Sequence, residues 1–202
     1  MHGDHIIYDA HGCLVTPDLV LRAYQSRCFP MADHREGVIN WYRPVMRAVV
    51  TWDRFRIPRS LQKTWQRTAL TVTCDTAFDQ VIDRCAARDE TWISRDLQRL
   101  YQELHERGRA HSVEAWDADG RLVGGLYGLA IGGVFCGESM FHTVPDASKY
   151  CVIVLVERLR RSGFGLLDCQ QQTPHMERFG ARLISDADYE ALLLDHLEQR
   201  VF

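Results

Sequence analysis

The amino-acid sequence predicts an α+β fold in which helices pack on a mixed, mostly antiparallel sheet. Three observations carry this expectation. Apolar residues recur at helical spacing in three separate stretches, around 78–85, 97–104 and 150–159. Between the second and the third, short β-rich runs are punctuated by Asp119-Gly120 and Gly132-Gly133, the turn chemistry of an antiparallel meander. A further apolar run, Leu166–Gln170, follows the third helical stretch after Gly163. The order strand, helices, antiparallel meander, helix, strand suggests an α+β protein.

Each element has a local reason. Thr16-Pro17-Asp18 opens a helical pattern through Leu19, Val20, Leu21, Ala23 and Tyr24, with proline at a favoured early position. Cys28-Phe29-Pro30-Met31 is expected to end it. Asn40-Trp41-Tyr42-Arg43-Pro44 is a compact aromatic cluster, Arg47–Thr51 reads as a strand, and Ser60–Gln66 as a short basic helix. Thr71-Val72-Thr73 reads as another strand. Asp75 is expected to cap a helix with Phe78, Val81, Ile82 and Cys85 on one buried face. A second helix is expected over Ser94–Arg107, with Leu97, Leu100, Tyr101 and Leu104 inward and Gly108 at its end. Ser112–Trp116, Leu122–Ala130 and Val134–Gly137 are the meander strands. Asp146 is expected to cap the last long helix, whose final turn carries Arg158, Arg160 and Arg161 at the negative end of the helix dipole.

The chain has 202 residues, 46% hydrophobic and 25% charged. These values exclude disorder, collagen and coiled coil, and no run approaches the ~20 apolar residues of a membrane span. The first nine residues lack a basic start followed by an apolar run, so no secretory signal is read and a cytoplasmic protein is expected. Two segments are expected, one over 1–70 and a second over 71–202. Seven cysteines without C-x-x-C spacing argue against disulfides and zinc, and the scattered histidines form no metal-ligand pair, so no metal is expected. The net charge of −3 divides unevenly, with a positive balance over 1–70 and a negative one beyond. Arg43, Arg47, Arg54, Arg56, Arg59, Lys63 and Arg67 concentrate the positive charge, with only Asp53 opposing it, and arginine suits bidentate phosphate contacts. The plain alternative is a solvated, arginine-rich surface.

Three clusters have chemical potential. Phe135-Cys136-Gly137-Glu138-Ser139-Met140-Phe141 sets a carboxylate in a glycine-containing run, as though a ligand pressed close to backbone; the plain alternative is a hairpin with an exposed Glu. In Leu166-Leu167-Asp168-Cys169-Gln170, an Asp at the end of an apolar strand is costly to bury unless it is bonded or functional. Strand alternation puts Asp168 and Gln170 on one face and Cys169 on the other, which discounts Cys169 as a nucleophile. Trp41, Tyr42, Trp92 and Tyr101 near arginines offer rings for stacking on bases, although aromatics at such spacing are more often core. The layout is compatible with a GNAT-like acyltransferase. The glycine-rich phosphate cradle of a CoA-using member is missing, because that place reads Glu138-Ser139-Met140-Phe141-His142-Thr143.

Taken together these blocks resemble one family, the leucyl/phenylalanyl-tRNA–protein transferases. The matching residues include Ala23-Tyr24, Phe29-Pro30, Trp41-Tyr42-x-Pro44, Arg47-Ala48-Val49, Glu90-Thr91-Trp92-Ile93, Gly124-Gly125-Leu126-Tyr127-Gly128, Phe135 to Phe141, Asp146 to Lys149, Asp168-Cys169-Gln170 and Thr173-Pro174-His175. The likeness runs from about residue 20 onward, and its G-E-S-M-F and D-C-Q blocks are highly specific.

The resemblance implies a small N-terminal domain joined to a GNAT-like domain. It also implies transfer of Leu or Phe from aminoacyl-tRNA to an N-terminal Arg or Lys, which marks the acceptor for N-degron proteolysis. No metal or CoA is implied, and the protein is expected to act as a monomer. Carried over by position, Trp41 and Trp92 hold the terminal adenosine with Tyr42 and Tyr101 nearby. Glu138, with Cys136 and Ser139 beside it, positions the donor end. Leu126, Phe135, Leu155, Leu159 and Leu167 line the donor side-chain pocket. Asp168 and Gln170 match the proposed catalytic pair, with Asp168 taking the amine proton directly or through Gln170. Arg43, Arg47, Arg56, Arg59 and Lys63 meet tRNA phosphates. Two departures stand out: Trp41-Tyr42-Arg43-Pro44-Val45-Met46-Arg47 differs from the usual W-W-S-P-D-P-R, and the family more often has aromatics where this chain has Leu155 and Leu159. The second predicts a larger pocket and a shift toward Phe. Two other readings remain, a GNAT-like N-acyltransferase with a donor such as acyl-CoA and a non-catalytic aminoacyl-tRNA binder.

Overall fold

The computed structural model describes residues 6–65, 67–197 and 202. Two short ribbons precede the main body: β1 (Ile7–Tyr8) with β2 (Leu14–Val15), and β3 (Phe29–Ala32) with β4 (Ile39–Tyr42). Between them lies α1 (Pro17–Gln25), whose N-cap Thr16 accepts a hydrogen bond from the Leu19 backbone N–H at 3.2 Å. The main body then runs β5 (Met46–Thr51), α2 (Arg59–Trp65), β6 (Thr71–Cys74), α3 (Phe78–Ala86) and α4 (Arg95–Glu106). It continues with β7 (Ala110–Trp116), β8 (Leu122–Ile131), β9 (Val134–His142), α5 (Ala147–Arg161) and β10 (Leu166–Gln170). The last elements are α6 (Pro174–Arg178), β11 (Arg182–Ser185) and α7 (Asp186–Asp195).

Seven strands form one sheet in the order β11-β5-β10-β9-β8-β7-β6. Every neighbouring pair is antiparallel except β10 with β9. The expected α+β class with a mixed, mostly antiparallel sheet is the one observed. All ten residues of β8 are buried, because helices cover both of its faces. Its paired glycines make that possible. A Cβ on Gly124 would stand 2.6 Å from the Cβ of Ala147 at the start of α5, and one on Gly125 would stand 3.0 Å from Val81 of α3. Helices on opposite faces therefore close onto the same strand.

Several expectations need correction. Residues 29–32 are a strand, not only the end of α1. Asp75 does not cap α3: it has φ of 55°, and its carboxylate accepts from the Ser112 backbone N–H and lies 3.0 Å from His111 Nδ1. Asp146 precedes α5 in the left-handed region, and its side chain binds Lys149 instead of a helix N–H. The boundary expected after residue 70 would separate β5 from the sheet it completes between β10 and β11, and Leu61 from the core beneath α5. Local propensity carries no record of that pairing, because β5 meets its partners more than 100 residues later in the chain.

The parallel pairing of β9 with β10 is the feature that makes a site. It runs from Val134↔Leu166 to Cys136↔Asp168 and goes no further. Beyond it, β9 continues to His142 paired only with β8. The two strands therefore part, and a cleft opens along the far half of β9.

Candidate active site

Glu138 sits where the strands part. In the β8–β9 ladder Gly128 pairs with Gly137 and Tyr127 with Ser139, so Glu138 is the extra residue of a β-bulge. A bulge re-aims a side chain, and here it turns a carboxylate into the cleft instead of into the ladder. Gly128 opposite is required by close packing, since a Cβ there would lie 2.2 Å from the Cys136 carbonyl oxygen. Three side chains donate to the carboxylate. Tyr24 Oη reaches Oε1 at 2.6 Å, Gln170 Nε2 reaches Oε1 at 2.9 Å, and Tyr101 Oη reaches Oε2 at 3.0 Å. Burial pushes the Glu138 pKa up, the three donors hold it back, and it rests at about 7. Burial also raises both tyrosines well above their ordinary range, so they remain donors.

Behind Gln170 lies a second carboxylate, spent on internal bonds. Asp168 is fully buried. Arg47 Nε lies 3.2 and 3.0 Å from its two oxygens, Arg47 Nη2 lies 2.9 Å from Oδ2, and Tyr189 Oη donates to Oδ2 at 2.8 Å. Burial opposes the charge on Arg47, but Asp168 outweighs it and holds the guanidinium above its ordinary pKa. The Gln170 backbone N–H donates to Asp168 Oδ1 at 2.8 Å, and this bond shapes the chain. Gln170 stands at φ of 58°, in the left-handed region that side chains rarely adopt, and the ladder to β5 shifts register between Asp168 and Gln170. Asp168 thus helps hold the strained turn that delivers the Gln170 amide to Glu138.

The cleft is a cavity of about 780 Å³, within the usual range for a small-molecule site. Leu126, Met140, Val152, Leu155, Leu167 and Met176 give it an apolar wall, and Glu138 and Ser139 are among its polar lining. Trp92, Arg84 and Arg88 line it from the α3 side. The Trp92 carbonyl accepts the Ala32 backbone N–H at 3.0 Å, which ties this rim to the N-terminal ribbon. Among the described residues, no group of His, Cys, Asp and Glu side chains is arranged to hold a metal ion.

Comparison with known proteins follows the same residues. A model of the leucyl/phenylalanyl-tRNA protein transferase family matches residues 49–194, and a model of that family's N-terminal domain matches 15–45. The chain belongs to this family. Among its relatives named leucyl/phenylalanyl-tRNA–protein transferase, that of Rubrobacter xylanophilus is 49% identical over 90% of this chain and 97% of its own length. Those of Salinibacter ruber and Herpetosiphon aurantiacus are 47% and 46% identical, each over 91% of this chain, and over 81% and 95% of their own. Solved structures are more distant. L-PGS from Bacillus licheniformis is 13% identical over 77% of this chain and 65% of its own, with a TM-score of 0.47. A GCN5-related N-acetyltransferase from Sphaerobacter thermophilus is 12% identical over 90% and 56%, with a TM-score of 0.44. At such scores these likenesses carry no argument.

The residues expected from the transferase family divide into two groups. Trp92, Leu126, Glu138, Ser139, Leu155 and Leu167 all line the cavity. Tyr101 and Gln170 stand behind it as donors to Glu138. Phe135, Cys136 and Leu159 do not line it: all are essentially fully buried core residues. Leu159 lies one helical turn beyond Leu155 on α5 and is buried in the core. Trp41 donates from Nε1 to Asp9 at 3.0 Å and packs against the core, outside the cavity lining. Tyr42 is exposed and stacks on Phe29 with centroids 6.3 Å apart. Arg47 is not a phosphate contact, because it is 1% exposed and committed to Asp168. Arg43 pairs with Asp186 at 2.6 Å, while Arg56, Arg59 and Lys63 are exposed.

Asp168 cannot take a proton from substrate in the way expected, since it faces Arg47 and Tyr189 and does not line the cavity. Nor do Asp168 and Gln170 present their side chains as a pair; the bulged register separates them. Cys169 lines the cavity from the opposite face, and burial raises its thiol well above the ordinary range. Sequence reasoning missed Tyr24, Tyr189 and the role of Arg47 as a clamp. Tyr24 lies in a block that matches the family, so a signal for it existed; nothing local marks Tyr189.

Proposed function

We propose that this chain transfers an aminoacyl group from aminoacyl-tRNA to the N-terminal amine of an acceptor protein, with Leu or Phe as the donor residue and Arg or Lys at the acceptor N-terminus. The observation that carries this reading is Glu138, a carboxylate with a pKa of about 7 that a bulge turns into a cavity with an apolar wall. The donor is an ester and already activated. The attacking amine, with a reference pKa of about 7.7–8.0, is partly neutral near pH 7. It needs placement and a proton acceptor more than a covalent intermediate.

The amine nitrogen attacks the ester carbonyl, the N–C bond forms, and the bond from that carbon to the ribose oxygen breaks. Glu138 takes the proton the amine loses and returns it to the departing ribose hydroxyl. The two tyrosine hydroxyls lie 2.9 Å apart. When Glu138 is ionised both donate to it. When Glu138 is protonated, one turns its proton to the other, so no hydroxyl is left unpaired. Gln170 orients the carboxylate, and Asp168 orients Gln170. Leu126, Leu155 and Leu167 accept an apolar donor side chain and reject a charged one by desolvation.

Trp92 offers a ring for the terminal base, and Arg56, Arg59 and Lys63 are exposed for phosphates of the acceptor stem. No helix is long and apolar enough to cross a membrane among the described residues, and the reaction belongs where charged tRNA is found, in the cytoplasm. An acyl-CoA donor fits less well, since no glycine-rich cradle precedes α5.

The deciding measurement is transfer of radiolabelled Leu or Phe from charged tRNA to peptides beginning with Arg or Lys, with acetylated and Asp-initiated peptides as controls. Transfer confined to free basic N-termini is the expected result. Binding of tRNA without transfer would bring the non-catalytic reading forward.

A further inference from the structure

We infer that Arg84 and Arg88, on and just beyond the last turn of α3, form a phosphodiester-binding site at the mouth of the cavity. The site holds the 3′-terminal backbone of the donor RNA while the last base lies against Trp92; this rests on the transferase reading above. Both arginines line the cavity beside Trp92. Neither extends idly from the helix. Arg88 donates from Nη2 to the Met140 carbonyl oxygen, and the Arg84 guanidinium lies 5.8 Å from the Phe141 ring centroid. Met140 and Phe141 belong to the half of β9 that β10 leaves unpaired. The two guanidinium groups are therefore laid along one wall of the cleft.

Their chemistry selects the partner. A guanidinium has five N–H donors in a fixed fork suited to a phosphate. One carbonyl and one ring face use few of those donors. No ion pair to a carboxylate holds either arginine among the described residues. Helix-dipole complementarity accounts for Arg84 in the last turn, but Arg88 lies past the end of the helix and is turned onto β9. The reaction brings two partners to this cleft. The acceptor arrives with an amine and a cationic side chain, which two unneutralised guanidiniums repel. The donor arrives with a phosphodiester chain and a stackable base, which two arginines beside a tryptophan attract. The α3 side of the mouth therefore belongs to the donor, and the acceptor enters past the opposite wall.

The test compares two donors, a 3′-O-aminoacyl adenosine without phosphate and an aminoacylated CCA trinucleotide. Each is assayed with the wild-type chain, with Arg84→Gln/Arg88→Gln and with Arg84→Lys/Arg88→Lys. The Gln pair is expected to raise KM for the trinucleotide by about tenfold or more and to weaken its salt dependence. With the nucleoside donor it stays within about twofold of wild type, because that donor has no phosphate for the arginines to hold. The Lys pair keeps most of the trinucleotide affinity. An equal KM change on both donors, or none on either, overturns the assignment. So does thermal protection of the wild type by CoA that the Gln pair abolishes, because the arginines would then serve another phosphate donor. If the wild type transfers from neither small donor nor from charged tRNA, the transferase reading itself falls and takes this inference with it.

Discussion

In the proposed mechanism Glu138 is the proton acceptor. Its pKa of about 7 is the balance of burial against three donors, so its protonation changes across the range where the acceptor amine also titrates. The transfer rate is expected to rise with pH through about 7 as Glu138 ionises, and to keep rising as the amine deprotonates. Glu138→Gln keeps the shape and removes the base. A loss of about 10²–10⁴-fold in kcat follows if it is the proton acceptor, and the lower limb of the pH profile disappears with it. A variant that keeps wild-type kcat and both limbs would leave Glu138 only an orienting role. Leu155 decides size in the same cavity. Leu155→Phe fills part of the apolar wall and is expected to lower use of Phe relative to Leu, read as the ratio of kcat/KM for the two charged donors. Leu159→Phe acts on packing instead, since Leu159 is fully buried outside the cavity. Overpacking there costs roughly 1–3 kcal/mol of stability without a matching change of preference.

At the scale of elements, the site depends on α7 and β5 although neither lines the cavity. Tyr189 of α7 and Arg47 of β5 hold Asp168, Asp168 holds the Gln170 backbone, and the Gln170 amide holds Glu138. Tyr189→Phe removes one donor and keeps the ring that lies 4.6 Å from the Arg47 guanidinium. It is expected to lower kcat severalfold with KM little changed, and to move the lower limb of the pH profile. A change in thermal midpoint alone, with kcat and the profile intact, would make Tyr189 merely structural. Arg47→Met leaves the Asp168 carboxylate buried without its cation. Breaking a buried pair from one side costs roughly 3–5 kcal/mol, measurable in urea unfolding. A loss below ~1 kcal/mol would mean that Asp168 finds another partner or a proton.

At the scale of the whole molecule, two properties follow from where charge lies. Glu138 is held above its ordinary value of 4.5, so between about 4.5 and 7 the folded state binds a proton more tightly than the unfolded chain does. Its contribution to stability therefore falls as pH rises through that window. Thermal midpoints of the wild type and Glu138→Gln are expected to diverge over it, with the variant relatively more stable at the upper end. The second property is salt dependence. Arg59 and Lys63 are exposed and paired with no carboxylate among the described residues, whereas Arg43 is already neutralised by Asp186. Removing the first two is expected to reduce the slope of log affinity for tRNA against log salt by about one for each phosphate no longer neutralised. Arg43→Gln changes it less. An unchanged slope for Arg59→Gln/Lys63→Gln would place the acceptor stem on another face.

The α+β class, most of the helices and the meander were legible in the residues, because apolar spacing and Asp-Gly and Gly-Gly turns act within a few residues of one another, whereas both aspartates expected as helix caps bond elsewhere. The blocks around Glu138 and Asp168 that match the family were legible too. The direction in which those side chains point was not legible. Alternation put Asp168 and Gln170 together, but a positive φ at Gln170 and a bulge at Glu138 separate one pair and create another. Both departures are stabilised by partners remote in the chain: Tyr24 lies 114 residues from Glu138, and Arg47 lies 121 from Asp168. Arg47 shows the difference most directly. In the sequence it is one arginine in a basic segment; in the folded chain it is the buried counter-charge of the site. Local patterns determine elements because their hydrogen bonds and apolar faces are local. The protonation and aim of a buried carboxylate depend on which distant donors surround it, and only the closed tertiary structure decides that.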